Sequence, residues 1–471
     1  MIERKHIHIG GKWVDPVGKE TIEVVNPATE EVIATIPRCT PEDANRAVTA
    51  AAEAFTAWSN TSIAERVALF NKMADLVEKR GHELTQASVS EVGQPIRFTA
   101  PLQTGGAVDE LKVMAENLQT IVWEEDVGGA VVRRLPSGVV GAITAWNGPL
   151  RSVISKAGAA IAAGCTVVVK GSEIAPLTSF IFAEITEEAG LPPGVFNLLS
   201  GTGPEVGEAI VTHKLVDMVS LTGSVRAGRR VMELAAQDVK RVHLELGGKS
   251  ANILLDDADF EKAVSVGLDD AFRNSGQVCG GLTRMLVPED RLAEAEALAI
   301  AKAESFVIGD PFDPATTLGP VISEAALERV RNYIRIGQDE GARLLAGGTD
   351  LPKGITRGYF VRPTVFTGNN SMRIAREEIF GPVLTIIPYR TEVEAIAIAN
   401  DSDFGLAGAV WSASRDRAVA VARQIRTGRQ RINGAPFSKN ATHGGFKHSG
   451  FGREWGRFGI EEFTEYQSIN G

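Results

Sequence analysis

The sequence predicts an α/β protein built on a doubly wound parallel sheet, with a second α/β domain and a small β element beside them. Three observations lead there. Between Val139 and Glu245, short continuous apolar runs alternate with helical patterns, as expected of parallel strands covered on both faces. The same alternation resumes from Ala251 to Trp411. At 471 residues the chain is also too long for one ordinary core.

In chain order, residues 1–38 read as short strands and turns: Ile7 to Ile9, Gly10-Gly11, then Thr21 to Val25 closing at Asn26-Pro27. From Pro41 the pattern turns helical. Pro41-Glu42-Asp43 suits a first turn, Ala47, Ala51, Ala54 and Phe55 repeat at helical spacing, and a further helix runs from Ala64 to Val77. Val139 to Trp146 reads as a strand, Leu150 to Ala163 as a helix of small residues, and Thr166 to Lys170 as a strand. Pro176 to Ala189 is a helix closed by Gly190, and Val195 to Leu198 a strand. Val216 to Leu221 is the next strand, followed by Thr222-Gly223-Ser224 and a helix from about Arg226. In the second half, the expected elements are a strand at Ala251 to Leu255, a helix at Phe260 to Phe272, and strands at Met285 to Val287, Val383 to Pro388 and Ala407 to Trp411. Thr120 to Trp123 and Ala130 to Arg134 read as a hairpin turned at Gly128-Gly129, which with the β-like tail Glu462 to Ile469 forms a small protruding sheet.

Composition narrows the function classes. With 44% apolar and 23% charged residues, the chain is of the soluble globular kind. A net charge of -10 and no basic stripe argue against a nucleic-acid partner. No run approaches the ~20 apolar residues needed to cross a bilayer, so no membrane partner is expected. The N-terminus lacks a signal-like apolar segment, and the three cysteines Cys39, Cys165 and Cys279 build no disulfide framework. A cytoplasmic protein is expected.

Cys279, in Ser275-Gly276-Gln277-Val278-Cys279-Gly280-Gly281, is the leading nucleophile candidate, because its flanks are glycine and glutamine rather than core hydrophobes. Glu245, in Glu245-Leu246-Gly247-Gly248-Lys249, supplies a carboxylate able to activate water. Cys165 lies among small apolar residues and reads as inert core. Lys170 and Glu173 follow the carboxyl end of a parallel strand, where open α/β sheets bind ligands. A carboxylate there accepts ribose hydroxyls and repels a 2′-phosphate, which favours NAD over NADP; a solvated ion pair is the alternative. Thr222-Gly223-Ser224 opens a helix after a strand, which suits a phosphate and equally suits a ligand-free N-cap serine. Asn147 can donate to an oxyanion, though alone it reads as an ordinary turn residue. No histidine or cysteine spacing matches a metal site, and no metal is expected. His443 and His448 flank glycines without a favoured pocket role.

Taken together, the Glu245–Lys249 run, Gly276-Gln277-Val278-Cys279 with Arg284, Glu377-Glu378-Ile379-Phe380-Gly381-Pro382-Val383, Gly444-Gly445-Phe446-Lys447 and Ser449-Gly450-Phe451-Gly452-Arg453-Glu454 resemble the aldehyde dehydrogenase superfamily over essentially the whole chain. The resemblance implies a Rossmann-like cofactor domain (1–117 and 136–243), a catalytic domain (244–440) and an oligomerisation element (118–135 and 455–471). It implies NAD-dependent oxidation of an aldehyde to an acid, with Cys279 forming a hemithioacetal and then a thioester. Asn147 and the Cys279 backbone N–H would be oxyanion donors and Glu245 the base for hydrolysis. Lys170 and Glu173 would contact the adenosine ribose, Gly223 and Ser224 the pyrophosphate, and Glu378 and Phe380 the nicotinamide ribose, with Trp146 adjacent. The role of Lys156 is left open. A homodimer or homotetramer is implied.

The substrate side departs from the commoner family pattern at Gly148, Ser155 and Thr442-His443, where larger or aromatic residues are usual. Smaller walls predict a wide, partly polar pocket for bulky or aromatic aldehydes. A Cys/Glu hydrolase without redox chemistry and a non-catalytic descendant of the fold are the rival classes; neither accounts for all the matching runs.

Overall fold

The structure is a computed structural model and describes residues 1–471. Its larger sheet has eight strands in the order Gly450–Phe451, Arg241–Glu245, Met218–Thr222, Val139–Ile143, Thr166–Lys170, Phe196–Leu199, Ile7–Ile9, Lys12–Val14. The five central strands are parallel, and antiparallel pairs close both edges. The parallel part begins at Val139–Ile143, builds outward through Thr166–Lys170 and Phe196–Leu199, then crosses back to Met218–Thr222 on the other side. That reversal is a topological switch point, and ligands of such sheets bind outside the carboxyl ends of the strands. Lys170, Thr222 and Glu245 all terminate strands on this edge.

The apolar runs are continuous because both faces are covered. Successive side chains of Thr166–Lys170 point to opposite faces: Val167 and Val169 join the core containing Phe70, Leu111 and Phe180, whereas Val168 joins the one containing Ala44, Ala47 and Ala51. The helix Pro41–Ser59 starts with a capping box, Thr40 accepting from the Asp43 N–H while Asp43 accepts from the Thr40 N–H, and Pro41 fits the first turn. The stretch expected as one helix over Leu150 to Ala163 is Pro149–Val153, a wide π turn at Ile154–Gly158, and Ala159–Ala163. Such turns accumulate at functional sites, and this one carries the buried Ser155 and Lys156.

A second sheet of seven strands follows the order Arg343–Ala346, Thr364–Thr367, Val383–Tyr389, Arg284–Pro288, Ala251–Leu254, Ala407–Trp411, Arg429–Ile432, parallel except for its first pair. It too is entered in its middle. The helix Phe260–Phe272, capped by Asp259, leads directly to the Cys279 loop. After the last strand of this sheet the chain returns to the first one: Gly450 pairs with Glu245 and Phe451 with Leu244.

Glu124–Val127, Ala130–Pro136 and the tail Thr464–Asn470 form a three-stranded sheet. The hairpin turns at Gly128-Gly129, both left-handed, as a two-residue turn of this twist requires. Its first strand begins at Glu124, not Thr120. Thr120 donates its N–H to the Asn117 carbonyl and finishes the preceding helix, while Ile121 is buried in the main core. Tertiary burial there overrides the strand preference of β-branched residues. No helix is long and apolar enough to cross a membrane.

Candidate active site

The Cys279 loop is held in a costly conformation. Asn274, Ser275 and Gly276 are successively left-handed, with φ of 50°, 57° and 74°, and for the two non-glycine residues this costs roughly 1 kcal/mol or more each. Side-chain bonds fix it. Ser275 Oγ donates to the Gly319 carbonyl at 2.7 Å; Gln277, fully buried, donates to the Asn274 carbonyl at 3.0 Å and accepts from the Ile322 N–H at 2.8 Å. A side chain on Gly276 would strike the Gly381 carbonyl and Pro382. Gly276→Ala is therefore expected to cost about 2–4 kcal/mol of stability, read as a lower Tm, through both backbone strain and overlap; an unchanged Tm would contradict this account.

The two short runs singled out in the sequence touch each other. Gly248 packs so closely on the Cys279 carbonyl that no Cβ fits, and a Cβ on Gly247 would overlap the Glu378 carboxylate. Glu378 accepts from the Gly248 N–H at 3.0 Å, and Arg329 braces it by donating to the Glu378 and Ile379 carbonyls. Burial pushes the Glu378 carboxyl up to about 7. Phe380 is held at φ 61° and meets Trp146 edge to face, 5.4 Å between ring centres.

Glu245, the last residue of its strand, is buried, and burial pushes its carboxyl up to about 7 against the opposing pull of Lys156. The reactive atoms of Glu245, Cys279 and His443 lie within 4.8 Å of one another. His443 Nε2 is 3.0 Å from Glu245 Oε1, and its ring stacks on Trp455 at 4.5 Å. Burial lowers the His443 pKa well below the ordinary imidazole value, so the ring is neutral. Its Nδ1 is buried without a partner, which favours the tautomer with the proton on Nε2, donating to Glu245. Burial and the Glu245 charge hold the Cys279 thiol well above its ordinary pKa, so in this arrangement the sulfur keeps its proton until a base takes it.

His443 is the residue that sequence reasoning missed. A lone histidine beside glycines carries no motif; the available signal was its place just ahead of Gly444-Gly445, in a run that the second crossing to the first sheet lays against Glu245. His448 stays outside, its ring against Phe404. Cys165 and Cys39 are buried with thiols pushed up to about 12 and about 11 by burial, and neither approaches the cluster.

Asn147 follows the first central strand. Its amide donates to the Gln277 carbonyl at 3.0 Å, and its own carbonyl accepts from Asn274 at 3.2 Å, so it is tied to the cysteine loop. An amide nitrogen has two hydrogens, leaving one free. Lys156 is completely buried and pairs with Glu454 at 2.9 Å and with Ser220 at 3.2 Å. It thus supports the floor behind Glu245.

Lys170 Nζ donates to Glu173 at 2.7 Å and to the Gly201 carbonyl at 3.1 Å. Ser224 caps the helix Val225–Ala235 by accepting from Ala227, and Gly223 donates to the Glu245 carbonyl. The donor set fits a dinucleotide: an ordered carboxylate for ribose hydroxyls, a helix start with an exposed serine for phosphate, and the glycine-lined approach at Gly247-Gly248 for a flat ring.

One expectation about the substrate wall is corrected. Ser155 does not open space: it is buried and hydrogen-bonded to Glu110, which also accepts from Arg151 at 3.4 Å. The Cβ direction of Gly148 faces the Gln103 amide, 3.2 Å away.

This fold, with a cysteine and a carboxylate converging at the carboxyl edge of a dinucleotide-type sheet, defines an enzyme that works on a carbonyl carbon. The chain matches the aldehyde dehydrogenase family over residues 13–469 and belongs to it. Its activity class is NAD-dependent oxidation of aldehydes to acids. It is 47% identical to a 3-succinoylsemialdehyde-pyridine dehydrogenase of a Pseudomonas species, over all of this chain and 99% of that one. Among solved structures, it superposes with a TM-score of 0.98 on aldehyde dehydrogenase C of Pseudomonas syringae, a cysteine-to-alanine mutant with NAD+ and octanal (47% identity, 99% and 96% of the two chains). The Mycobacterium tuberculosis aldehyde dehydrogenase bound to NAD+ gives 0.97 (41% identity, 99% and 98%).

Proposed function

We propose that the chain oxidises an aldehyde through covalent attachment to Cys279, and that the approach of Cys279, Glu245 and His443 to within 4.8 Å is the observation that carries this reading. Glu245, with its carboxyl raised to about 7, takes the thiol proton at neutral pH. The sulfur adds to the carbonyl carbon and forms the hemithioacetal. The free Asn147 hydrogen and the Cys279 N–H stabilise the oxyanion. Glu378, Phe380 and Trp146 would hold the nicotinamide, which would supply the hydride acceptor needed to turn the hemithioacetal on Cys279 into a thioester. Once the thiol proton has passed from Glu245 to solvent, Glu245, held by His443, deprotonates the water that adds to the thioester, and the C–S bond breaks to release the acid and return the sulfur of Cys279. The experiment is direct: with NAD and an aldehyde, NADH and carboxylic acid should appear in equal amounts, and acid without NADH would defeat the reading.

Lys170 and Glu173 are proposed to hold the adenosine ribose, and Gly223 and Ser224 the pyrophosphate. Glu173 is fixed by Lys170 where a 2′-phosphate would meet it, which supports NAD as the preferred cofactor. Glu173→Gln should raise kcat/KM for NADP by about tenfold, the equivalent of roughly 1.4 kcal/mol of relieved repulsion; no change in the NAD/NADP ratio would reject the assignment.

The pocket is proposed to be partly polar and to take bulky or aromatic aldehydes, a reading that rests on the residue types at Gly148 and Thr442-His443, with Gln103 facing Gly148 and His443 against Glu245 as polar groups. The cofactor domain is proposed to comprise residues 1–117 and 136–243 and the catalytic domain 244–440. The three-stranded sheet leaves Tyr466 and Ile469 exposed on its tail strand, which supports its role as the joint of a homodimer or homotetramer. A cytoplasmic location completes the reading.

A further inference from the structure

Arg429 begins the strand at the outer edge of the second sheet and sends its guanidinium toward the catalytic loop. A Cβ on Gly280, the residue after Cys279, would lie only 2.7 Å from its Nη2. The guanidinium sits 3.9 Å over the Phe437 ring and 5.3 Å over Trp455, the same tryptophan that stacks on His443. The cation is therefore walled by aromatic faces, one residue from the nucleophile.

What it lacks is a counter-charge. Its neighbour Arg431 pairs with Asp270 at 2.9 Å, and Arg151 is taken by Glu110 at 3.4 Å. No carboxylate lies within pairing distance of Arg429, and its Nε is buried with no acceptor. A desolvated charge without a partner is strongly unfavourable, so its retention beside the reaction centre calls for a ligand that completes it. Burial lowers its pKa to about 10, which still leaves it cationic at neutral pH. A guanidinium presents a planar fork that matches a carboxylate with two parallel bonds. Phe437 and Trp455 hold that fork flat.

We propose that Arg429 is a specificity-determining residue that binds a carboxylate carried by the aldehyde, so that the preferred substrates are acidic aldehydes, with a dicarboxylic acid as product. This rests on the reading that Cys279 holds the aldehyde carbon. The alternative use of the charge is electrostatic: the acidic groups that act on it are Cys279, Asp270 and Glu245, with Asp270 already paired to Arg431, and a role confined to the catalytic pair would be blind to the substrate's tail.

The test compares matched pairs, succinic semialdehyde against butanal and 4-carboxybenzaldehyde against benzaldehyde, by kcat/KM with NAD. In the wild type the acidic member should lead by about 10- to 100-fold, the range for a charge-assisted hydrogen-bonded pair. Arg429→Gln should bring that ratio close to one, mainly through KM, and Arg429→Lys should leave an intermediate ratio. A wild-type ratio at or below one, or a ratio that survives in Arg429→Gln, overturns the proposal; the latter result assigns the cation to the sulfur. Should Arg429→Gln not fold, the wild type alone decides: benzoate should compete with butanal at least about tenfold more tightly than benzamide, and equal inhibition overturns the idea. Equal turnover of acidic and neutral aldehydes defeats only this inference, whereas absence of NADH with every aldehyde defeats the proposed reaction itself.

Discussion

Cys279→Ala should reduce aldehyde oxidation by at least about 10⁴-fold, as removal of a covalent nucleophile does when the remaining groups act only as a unit with it. The variant should still fold, because the loop is held by Ser275, Gln277 and Asn274 rather than by the sulfur. Binding of NAD, followed by quenching of tryptophan fluorescence, should survive, since the residues proposed to hold it, Lys170, Glu173 and Ser224, end or follow strands of the other sheet. Two measurements therefore move apart: turnover vanishes and cofactor affinity stays. Retained turnover would show that another group attacks the carbonyl; the buried Cys39 and Cys165, with thiols raised to about 11 and about 12, are poor substitutes.

Glu245→Gln should lower steady-state kcat by about 10²–10⁴-fold, the range for a lost general base. The amide keeps the shape and still accepts from His443, so the loss reports proton transfer rather than packing. The pH dependence follows from the same group. Its carboxyl titrates at about 7, and only the ionised form is a base, so kcat in the wild type should climb as pH rises through about 7 and level off above it. The climb should be absent in Glu245→Gln. His443→Phe keeps the ring stacked on Trp455 but removes an N–H that favours the charged carboxylate, so it should displace the climb to higher pH. A flat wild-type profile between pH 5 and 8 would exclude Glu245 as the base.

The parts of this molecule that the chain announces openly are those where one constraint dominates. Thr166 to Lys170 is a strand because its run of β-branched residues is buried on both faces, and Phe260 to Phe272 is a helix because its apolar stripe is regular and Asp259 caps it. Thr120 to Trp123 misled because local preference pointed to a strand while Ile121 was claimed by the core. The π turn at Ile154–Gly158 has no periodic signature within its five residues Ile-Ser-Lys-Ala-Gly. At the site, Cys279 and Glu245 stood out through their glycine neighbours, whose backbone contacts with Glu378 and with each other are now explicit. Arg429 was silent, and the partners of His443 and Lys156 could not be read, since each depends on an approach between residues far apart in sequence.

The carboxylate closes the last parallel strand of the first sheet, and the thiol stands on a loop fed by the second. Between them run Leu246 to Ser250, the opening strand of the second sheet and the helix Phe260–Phe272. Carboxylate and thiol are thus supplied by two different sheets, so the distance between them depends on how the two sheets are aligned.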